Sequence, residues 1–559
     1  MLYPQLNKFR GIINLDGIWQ MKPVSDEYIP TSEARDTIPI AVPASMNDQI
    51  LDVKIREYSG KVLFERTFSC PKFEGKKTFL RFEGLSHRGE VYLNGKLVGS
   101  CRSGFLPFDC EVTLEDENRI SVIVDNRLTF ETLPMGNFNY ETNKQVISQD
   151  FYNYTGIHRS VLLWTVSDEY IKDITVETFV DDDKDKVKVI VEGVNDALIT
   201  ITDEDGNVVV ENEPSDTVLT IKDAKLWNVL NAYLYTLQVS SANDEYKLNF
   251  GIRKIEFDEK SFKINGKPVY FTGFGRHEDF MISGKGTNLP VLMRDMNLMH
   301  WINCNSFRTS HYPYGQEIYD YADRHGFLVI DEVQAVCFNW LGGEFVEGRI
   351  NENTLDLHKE CIRLLMERDK NHPSVVMLSV ANEPNSKAEG SRPYFEAIAE
   401  YARSVTKLPL TLIQVEKPED DICADLFDII GINRYYGWYY DVAQLDVIPD
   451  RMEEELRKWH DKYHKPVMVT EFGADTIEGI HSIPPTMFSE EFQKEQAAGS
   501  CEGMDRVDFC IGEHVWNFAD FMTKQEIRRV NGNRKGVFTR DRQPKMVAYY
   551  LKERWKNKQ

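Results

Sequence analysis

Several apolar segments of the sequence run directly into acidic residues. The segment 374–380 leads through Asn382 to Glu383, and the segment 466–470 is followed at once by Glu471. If these segments are parallel strands of a barrel, the acids lie where the strands end and face one common opening. Two facing carboxyl groups, one protonated and one ionised, are the pair that hydrolysis of a glycosidic bond requires. A single strand-end acid is equally often an arginine partner or a helix cap, so one acid alone decides nothing.

The elements that would position these acids occupy the second half of the chain. From residue 258 onward, short apolar segments alternate with amphipathic helical segments. The apolar segments include 327–332, which ends in Asp331 and Glu332, and 374–380, 466–472 and 510–518. Nearly continuous apolar strands that alternate with helices are typical of a parallel sheet. We therefore assign residues 258–559 to a catalytic (β/α)8 TIM barrel, whose chemistry takes place at the carboxyl ends of the strands.

The first half of the chain is predicted to be β structure. In residues 1–166, short strands alternate apolar and polar residues, and Asn94-Gly95 between two of them is a hairpin signal. This pattern predicts a jelly-roll, sugar-binding-like β-sandwich. Residues 167–257 have the length and strand spacing of one immunoglobulin-like β-sandwich. The predicted fold class is a multidomain β plus α/β protein, with a jelly roll, an immunoglobulin-like sandwich and a C-terminal TIM barrel.

Composition and charge exclude several classes of protein. Hydrophobic residues make up 42% and charged residues 28% of the 559 residues, which is typical of globular proteins. The formal net charge of −23 repels phosphate backbones and anionic lipids, so neither a nucleic acid nor a membrane is an expected partner. The nine cysteines show no CxxC spacing, so no metal site is predicted. Because no signal-peptide pattern or membrane-spanning run is present, we expect reduced thiols in a cytoplasmic protein.

Ordered motifs along the whole chain resemble those of glycoside hydrolase family 2. Two signatures are RDKNHPSVV (368–376), followed by Asn382-Glu383-Pro384, and NSFRTSHYP (305–313). Within that family the resemblance is greatest to bacterial β-glucuronidases. It is carried by the segments 150–160, 273–279, 308–314, 433–439, 470–476, 515–521 and 531–545. The resemblance implies a retaining exo-β-D-glucuronidase that releases D-glucuronate and an alcohol and requires no cofactor.

The resemblance also implies a role for each of the two glutamates. Glu383 takes the position of the general acid/base, and Glu471 takes that of the nucleophile in a double displacement. Asn382, beside the acid, takes the position of the asparagine that hydrogen-bonds the sugar 2-hydroxyl group. Further substrate contacts are implied for Asp150, His311, Tyr436, Tyr439 and Trp516. Without the family context, Asp150 would be read as an ordinary turn residue. His311 would be a hydrogen-bonded core histidine, and Trp516 would be part of the barrel packing.

The identity of the sugar depends on a smaller motif near the C-terminus. The glucuronidases of the family carry Asn-x-Lys, here Asn533 and Lys535, and both side chains are implied to contact the C6 carboxylate of the sugar. A buried carboxylate needs a cation and hydrogen-bond donors, or its desolvation goes uncompensated. Arg529 can supply a second cation. Without the family context, residues 528–535 would be an ordinary solvated basic loop.

Three alternatives stay open at this point. A β-galacturonide differs from a glucuronide only at C4, and the same machinery could act on it. A neutral β-galactoside would leave Lys535 unpaired against a hydroxymethyl group. A carbohydrate-binding protein without turnover is disfavoured because both glutamates are present.

The sequence also bears on the aglycone and on assembly. Residues 333–356 form a shorter connection than the insertion of some bacterial relatives, which predicts an open mouth for a small-molecule or oligosaccharide glucuronide. The family resemblance favours a homo-oligomer, and we expect a tetramer.

Overall fold

The structure is a computed structural model that describes residues 1–71, 73–180, 185–336, 338 and 350–558. Its first domain is built from two antiparallel sheets, of four and six strands, that enclose a common apolar core. The elements are β1 (Gly11–Asn14), β2 (Gly17–Val24), β3 (Ile38–Val42), β4 (Ala44–Ser45), α1 (Val53–Arg56), β5 (Lys61–Ser69), β6 (Lys77–Phe82), β7 (Leu85–Ser86), β8 (Arg88–Leu93), β9 (Lys96–Cys101), β10 (Phe108–Glu111), β11 (Glu117–Asp125), β12 (Gly136–Asn139), β13 (Lys144–Ile147), β14 (Gly156–Ile157) and β15 (Val161–Val166). The four-stranded sheet has the order β1-β15-β6-β10 and the six-stranded sheet the order β3-β2-β5-β11-β8-β9. Two small sheets, β12-β13 and β4-β14-β7, complete the domain.

The second domain is a smaller antiparallel sandwich. The strands are β16 (Asp173–Phe179), β17 (Lys186–Glu192), β18 (Leu198–Thr202), β19 (Val208–Pro214), β20 (Val218–Thr220), β21 (Tyr235–Ser240) and β22 (Glu245–Phe250). A three-stranded sheet of order β16-β17-β20 packs on a four-stranded sheet of order β19-β18-β21-β22. Alternate residues of β17 and β21 are buried, as expected for strands with one face on a core.

A closed barrel of eight parallel strands follows, which confirms the predicted (β/α)8 barrel. A three-stranded antiparallel sheet, β23 (Ile255–Phe257), β24 (Phe262–Ile264) and β25 (Lys267–Val269), precedes it. The barrel strands are β26 (Phe271–Gly275), β27 (Ser306–Arg308), β28 (Leu328–Glu332), β29 (Val375–Asn382), β30 (Leu410–Gln414), β31 (Ile429–Asn433), β32 (Val467–Glu471) and β33 (Cys510–Trp516). The α-helices around it are α2 (Leu289–Trp301), α3 (Gln316–His325), α4 (Glu352–Asp369), α5 (Ser391–Val405), α6 (Ile448–Tyr463), α7 (Glu490–Asp505) and α8 (Met546–Lys556), and short 3-10 helices span Ala424–Leu426 and Leu445–Val447. In the part of the chain that the structure describes, no helix is long and apolar enough to cross a membrane.

Local sequence signals set the helix ends. Asn351 caps α4 by accepting hydrogen bonds from the backbone of Asn353 and Thr354, and the Thr354 hydroxyl group accepts one in return. Helix α3 ends at Gly326, whose φ of 77° is in the left-handed region. A Cβ at Gly326 would lie 2.5 Å from the backbone nitrogen of Leu230 in the second domain, so glycine also permits the close approach of the two domains.

The first domain is packed against the mouth of the barrel. Arg159 donates hydrogen bonds to the carbonyl oxygens of Phe105 in its own domain and Pro313 in the barrel. The Lys285 ammonium lies 3.3 Å from the ring centroid of Tyr312 and 4.8 Å from that of Phe151. Because Phe151 adjoins Asp150 and Tyr312 adjoins His311, this contact brings residues of the first domain to the strand ends of the barrel.

Candidate active site

The carboxyl ends of the barrel strands open into a cavity of about 310 Å³. Ten of the predicted site residues line it. They are Asp150, His311, Asn382, Glu383, Tyr439, Glu471, Trp516, Arg529, Asn533 and Lys535. All of them come from the barrel except Asp150, which the first domain contributes.

The two glutamates approach the cavity from strands on either side of β31. Glu471 ends β32, and its carboxylate accepts hydrogen bonds from Arg308 Nη2 at 2.5 Å and Tyr435 Oη at 2.6 Å. Glu383 follows β29 directly and accepts a hydrogen bond from Asn433 Nδ2 at 2.8 Å. Asn433 ends β31 and is paired with Glu471 across the sheet. Both carboxyl groups therefore meet around the end of β31.

Burial and hydrogen bonding have opposite effects on the charge of Glu471. Burial raises the pKa of Glu471 to about 8 against the opposing effect of Arg308, and the charge of Glu383 contributes to the rise. Arg308 and Tyr435 both donate to Glu471 and act to lower its pKa, so they favour the carboxylate form that a nucleophile needs.

A second layer of buried charges orients Arg308 and His311. Arg308 Nη1 donates to both carboxylate oxygens of Glu332, at 2.8 and 2.9 Å. Glu332 also accepts a hydrogen bond from His311 Nδ1 at 2.9 Å. Burial lowers the pKa of His311, so the ring is neutral and its Nε2 is an acceptor. His311 stacks on Trp516 with ring centroids 4.9 Å apart, and the two rings form one wall of the cavity.

Basic side chains cluster at another part of the cavity wall. Lys535 donates to Tyr439 Oη at 2.9 Å and to the carboxylate of Asp475. Arg529 donates to Asp150 from Nε at 2.9 Å and from Nη2 at 2.6 Å, to Tyr439 Oη at 2.8 Å, and to Asp475 Oδ2 at 3.2 Å. Asn533 Nδ2 donates to Asp150 Oδ2 at 2.8 Å. We refer to Lys535, Arg529 and Asn533 as the basic cluster.

Each member of the basic cluster retains one unused donor. A lysine has three N–H groups, an arginine five and an asparagine side chain two. Among the acceptors in the described ranges, these contacts use two donors of Lys535, four of Arg529 and one of Asn533. The Tyr439 oxygen already accepts from both cations, so its own O–H group can donate elsewhere. The cluster therefore presents several donors to a single anionic group in the cavity.

Comparisons with known proteins match this architecture over the whole chain. The profile described as "Glycosyl hydrolases family 2, TIM barrel domain" matches residues 255–559. The family's sugar binding domain matches residues 14–167, and a third profile, "Glycosyl hydrolases family 2", matches residues 162–253. The chain belongs to glycosyl hydrolase family 2.

Relatives in this family align from end to end. A β-glucuronidase of Paenibacillus borealis is 42% identical and aligns over 99% of this chain and 98% of its own length. The structure of a β-glucuronidase from an uncultured Clostridium species superposes with a TM-score of 0.97 at 44% identity and covers 100% of both chains. The β-glucuronidase of Ruminococcus gnavus in complex with D-glucaro 1,5-lactone has a TM-score of 0.93 at 36% identity, with 99% of each chain covered.

One predicted substrate contact, Tyr436, does not line the cavity. Its hydroxyl group donates to Glu455, and it lines a separate cavity beside Arg434. Its neighbour Tyr435 faces the active site instead and donates to Glu471. Tyr435 and Tyr436 lie in the turn after β31, where these two neighbouring side chains face different cavities, so an offset of one residue exchanges the two sides.

Several residues of the site were given no role by the sequence analysis. They are Arg308, Asn433, Tyr435 and Asp475, together with Gln149 in the wall of the cavity. Arg308 and Asn433 end barrel strands, a signal that could have found them. The prediction of an open mouth concerns residues 333–356, of which 337 and 339–349 lie outside the described residues. Within the described ranges, no group of three His, Cys, Asp or Glu side chains could hold a metal ion.

Proposed function

We propose that this chain is a retaining exo-β-D-glucuronidase, which hydrolyses β-D-glucuronides to D-glucuronate and an alcohol. One observation carries the proposal: a single cavity combines the buried Glu471 and the half-buried Glu383 with the basic cluster and its unused donors. The relatives that align with the whole chain are named β-glucuronidases, which supports the same assignment.

The reaction proceeds in two displacements. Glu383 transfers its proton to the glycosidic oxygen while the Glu471 carboxylate attacks the anomeric carbon, so that the alcohol leaves and a glycosyl ester forms on Glu471. Glu383, now ionised, removes a proton from a water molecule as that water attacks the same carbon. The ester bond breaks, Glu471 regains its negative charge, and Glu383 regains its proton. Arg308 and Tyr435 stabilise the carboxylate of Glu471 before and after the ester exists.

The basic cluster recognises the C6 carboxylate of the sugar. Lys535 is only 1% exposed and is paired with Asp475 and Tyr439, which leaves one of its three N–H groups for a substrate oxygen. A hydrogen bond to a charged group contributes about 1.5–3 kcal/mol, so the three unused donors can hold one carboxylate firmly. A neutral galactoside would place a hydroxymethyl group against these donors and leave part of them unpaired. A galacturonide would pair with all of these donors, so the site must distinguish it from a glucuronide by contacts at C4.

The two glutamates distinguish an enzyme from a carbohydrate-binding protein. Glu471→Gln and Glu383→Gln should each lower turnover of 4-nitrophenyl β-D-glucuronide by at least about 1,000-fold, because each removes an essential participant of the double displacement. Proton NMR of the first product should show β-D-glucuronate before it mutarotates. Full activity of Glu471→Gln, or α-D-glucuronate as the first product, would refute the mechanism.

We propose a small-molecule or oligosaccharide glucuronide as the partner of the site and a homo-oligomer, specifically a tetramer, as the assembled form. Light scattering at several protein concentrations tests the assembly. No metal or organic cofactor enters the proposed mechanism, and activity should survive EDTA. A cytoplasmic location is supported by the cysteines of the described ranges, which are all unpaired thiols.

A further inference from the structure

Asp475 is a buried acid that contacts both cations of the basic cluster. It is 1% exposed and follows Glu471 by four residues. Its Oδ2 atom accepts hydrogen bonds from Lys535 Nζ and from Arg529 Nη1. Its Oδ1 atom accepts one from the backbone nitrogen of Arg534 at 2.8 Å. Although burial opposes its ionisation, Lys535 and Arg529 hold the pKa of Asp475 below its ordinary value, so the group is a carboxylate at neutral pH.

The segment between Glu471 and Asp475 has little freedom to move. Gly473 has a φ of 152°, and a Cβ at this position would lie 2.5 Å from the carbonyl oxygen of Trp516. Trp516 in turn donates its backbone N–H to the carbonyl oxygen of Phe472 at 2.9 Å. One short, buried segment therefore connects the nucleophile with the acceptor of both cations.

We propose that Asp475 is a positioning residue that aims the unused N–H groups of Lys535 and Arg529 at the carboxylate of the substrate. Through the segment 471–475, it also fixes the separation between the attacking carboxylate and the uronate end of the site. In a uronoside the pyranose ring sets the separation between C1 and the C6 carboxylate, so donors held at a fixed place relative to the nucleophile favour uronosides over neutral glycosides. This inference depends on the proposed function of the site.

A purely electrostatic role for Asp475 predicts the opposite result. If the acid only neutralised Lys535 and Arg529, its negative charge would repel the anionic substrate, and Asp475→Asn would bind the substrate more tightly. A positioning role predicts weaker binding, because the asparagine oxygen is uncharged and only one of the two acceptor atoms of Asp475 remains. If that oxygen faces Lys535 and Arg529, the amide N–H groups face the backbone N–H of Arg534, where Asp475 now accepts; in the other orientation they face the two cations.

The chain offers a matched control in Asp520. This acid is 2% exposed and accepts hydrogen bonds from Lys545 Nζ at 2.8 Å, the backbone nitrogen of Gly536 at 2.9 Å and Arg534 Nη1 at 3.3 Å. Like Asp475, it accepts hydrogen bonds from the loop of residues 534–536, and it does not line the cavity. Asp520→Asn therefore measures how much activity and inhibitor affinity are lost when this loop is loosened while Asp475 keeps its contacts with Lys535 and Arg529.

The experiment measures KM and kcat for 4-nitrophenyl β-D-glucuronide with wild type, Asp475→Asn, Asp475→Glu and Asp520→Asn. Inhibition constants for D-glucaro-1,5-lactone and D-glucono-1,5-lactone are measured on the same proteins, because the two compounds differ in the carboxylate. We expect Asp475→Asn to raise KM and the glucarolactone constant at least tenfold, to change kcat less than threefold, and to leave the gluconolactone constant unchanged. The KM and the glucarolactone constant of Asp475→Glu should lie between those of wild type and those of Asp475→Asn. Asp520→Asn should leave the ratio of the two inhibition constants unchanged.

Two results would overturn the inference. One is a KM for Asp475→Asn that is unchanged or lower than that of wild type. The other is an equal loss of affinity for both lactones, which indicates general damage to the site. Failure of the proposed function is recognised separately, because wild-type protein would then not hydrolyse the glucuronide.

Discussion

Removal of the Lys535 ammonium group should lower kcat/KM for a glucuronide, and the contacts of Lys535 indicate the size of the loss. Lys535 is 1% exposed and donates to Tyr439 and Asp475, with one donor left for the sugar carboxylate. Lys535→Ala removes a charge-assisted hydrogen bond to the substrate, worth about 1.5–3 kcal/mol. It also leaves Asp475 with Arg529 as its remaining cation, at 3.2 Å. The lost hydrogen bond alone corresponds to a fall in kcat/KM of about one to two orders of magnitude, and the weaker hold on Asp475 adds to it.

The assay for this prediction is steady-state hydrolysis of 4-nitrophenyl β-D-glucuronide. Lys545→Ala is the matched control, because Lys545 is equally buried and pairs with Asp520 outside the cavity. Thermal unfolding of both variants shows whether they remain folded at the assay temperature. The expected result is a large loss of kcat/KM for Lys535→Ala and a much smaller loss of kcat/KM for Lys545→Ala. A loss below fivefold for Lys535→Ala, or equal losses for the two variants, would refute the reasoning.

Three further predictions follow from the same contacts. Because Glu471 must be ionised to attack and burial raises its pKa to about 8, kcat/KM should fall tenfold per unit as the pH drops below that value; a profile that is flat from pH 8 to pH 5 would count against Glu471 as the nucleophile. Tyr435→Phe removes the 2.6 Å donor to Glu471 and should lower kcat/KM about 10- to 100-fold and move the acidic limb of the profile to higher pH, whereas Tyr436→Phe, tested in the same assay, should leave KM unchanged. Asp150→Ala releases Arg529 and Asn533 and should raise KM at least about tenfold, and a KM equal to that of wild type would show that the first domain does not support the site.

Much of the fold could be predicted because the barrel strands are short, apolar and end in polar residues. The segment predicted at 374–380 corresponds to β29 (Val375–Asn382), and the segment at 466–472 contains β32 (Val467–Glu471). Such runs identify parallel strands, and the topology of a barrel then brings all strand ends to one mouth. Glu383 and Glu471 could therefore be assigned to one site without knowledge of any contact.

The rest of the site depends on contacts that a linear pattern does not contain. Asp150 and Arg529 are 379 positions apart and meet only because the first domain is packed against the barrel mouth. The choice between Tyr435 and Tyr436 depends on the turn after β31, where a shift of one residue exchanges the inner and outer faces. Arg308 and Asp475 act through buried ion pairs, and neither residue type nor spacing indicates which of many charged residues will pair. The domain boundaries at 166 and 257 stay predictions.

The most direct test of the central claim is a comparison of substrates on the wild-type protein. It measures kcat/KM for 4-nitrophenyl β-D-glucuronide, β-D-galacturonide and β-D-galactoside under the same conditions. The basic cluster and the two glutamates predict that the glucuronide is hydrolysed at least about 100-fold more efficiently than the galactoside, since a neutral sugar leaves buried donors unpaired, and more efficiently than the galacturonide. A galactoside or galacturonide that reacts as fast as the glucuronide would contradict the account.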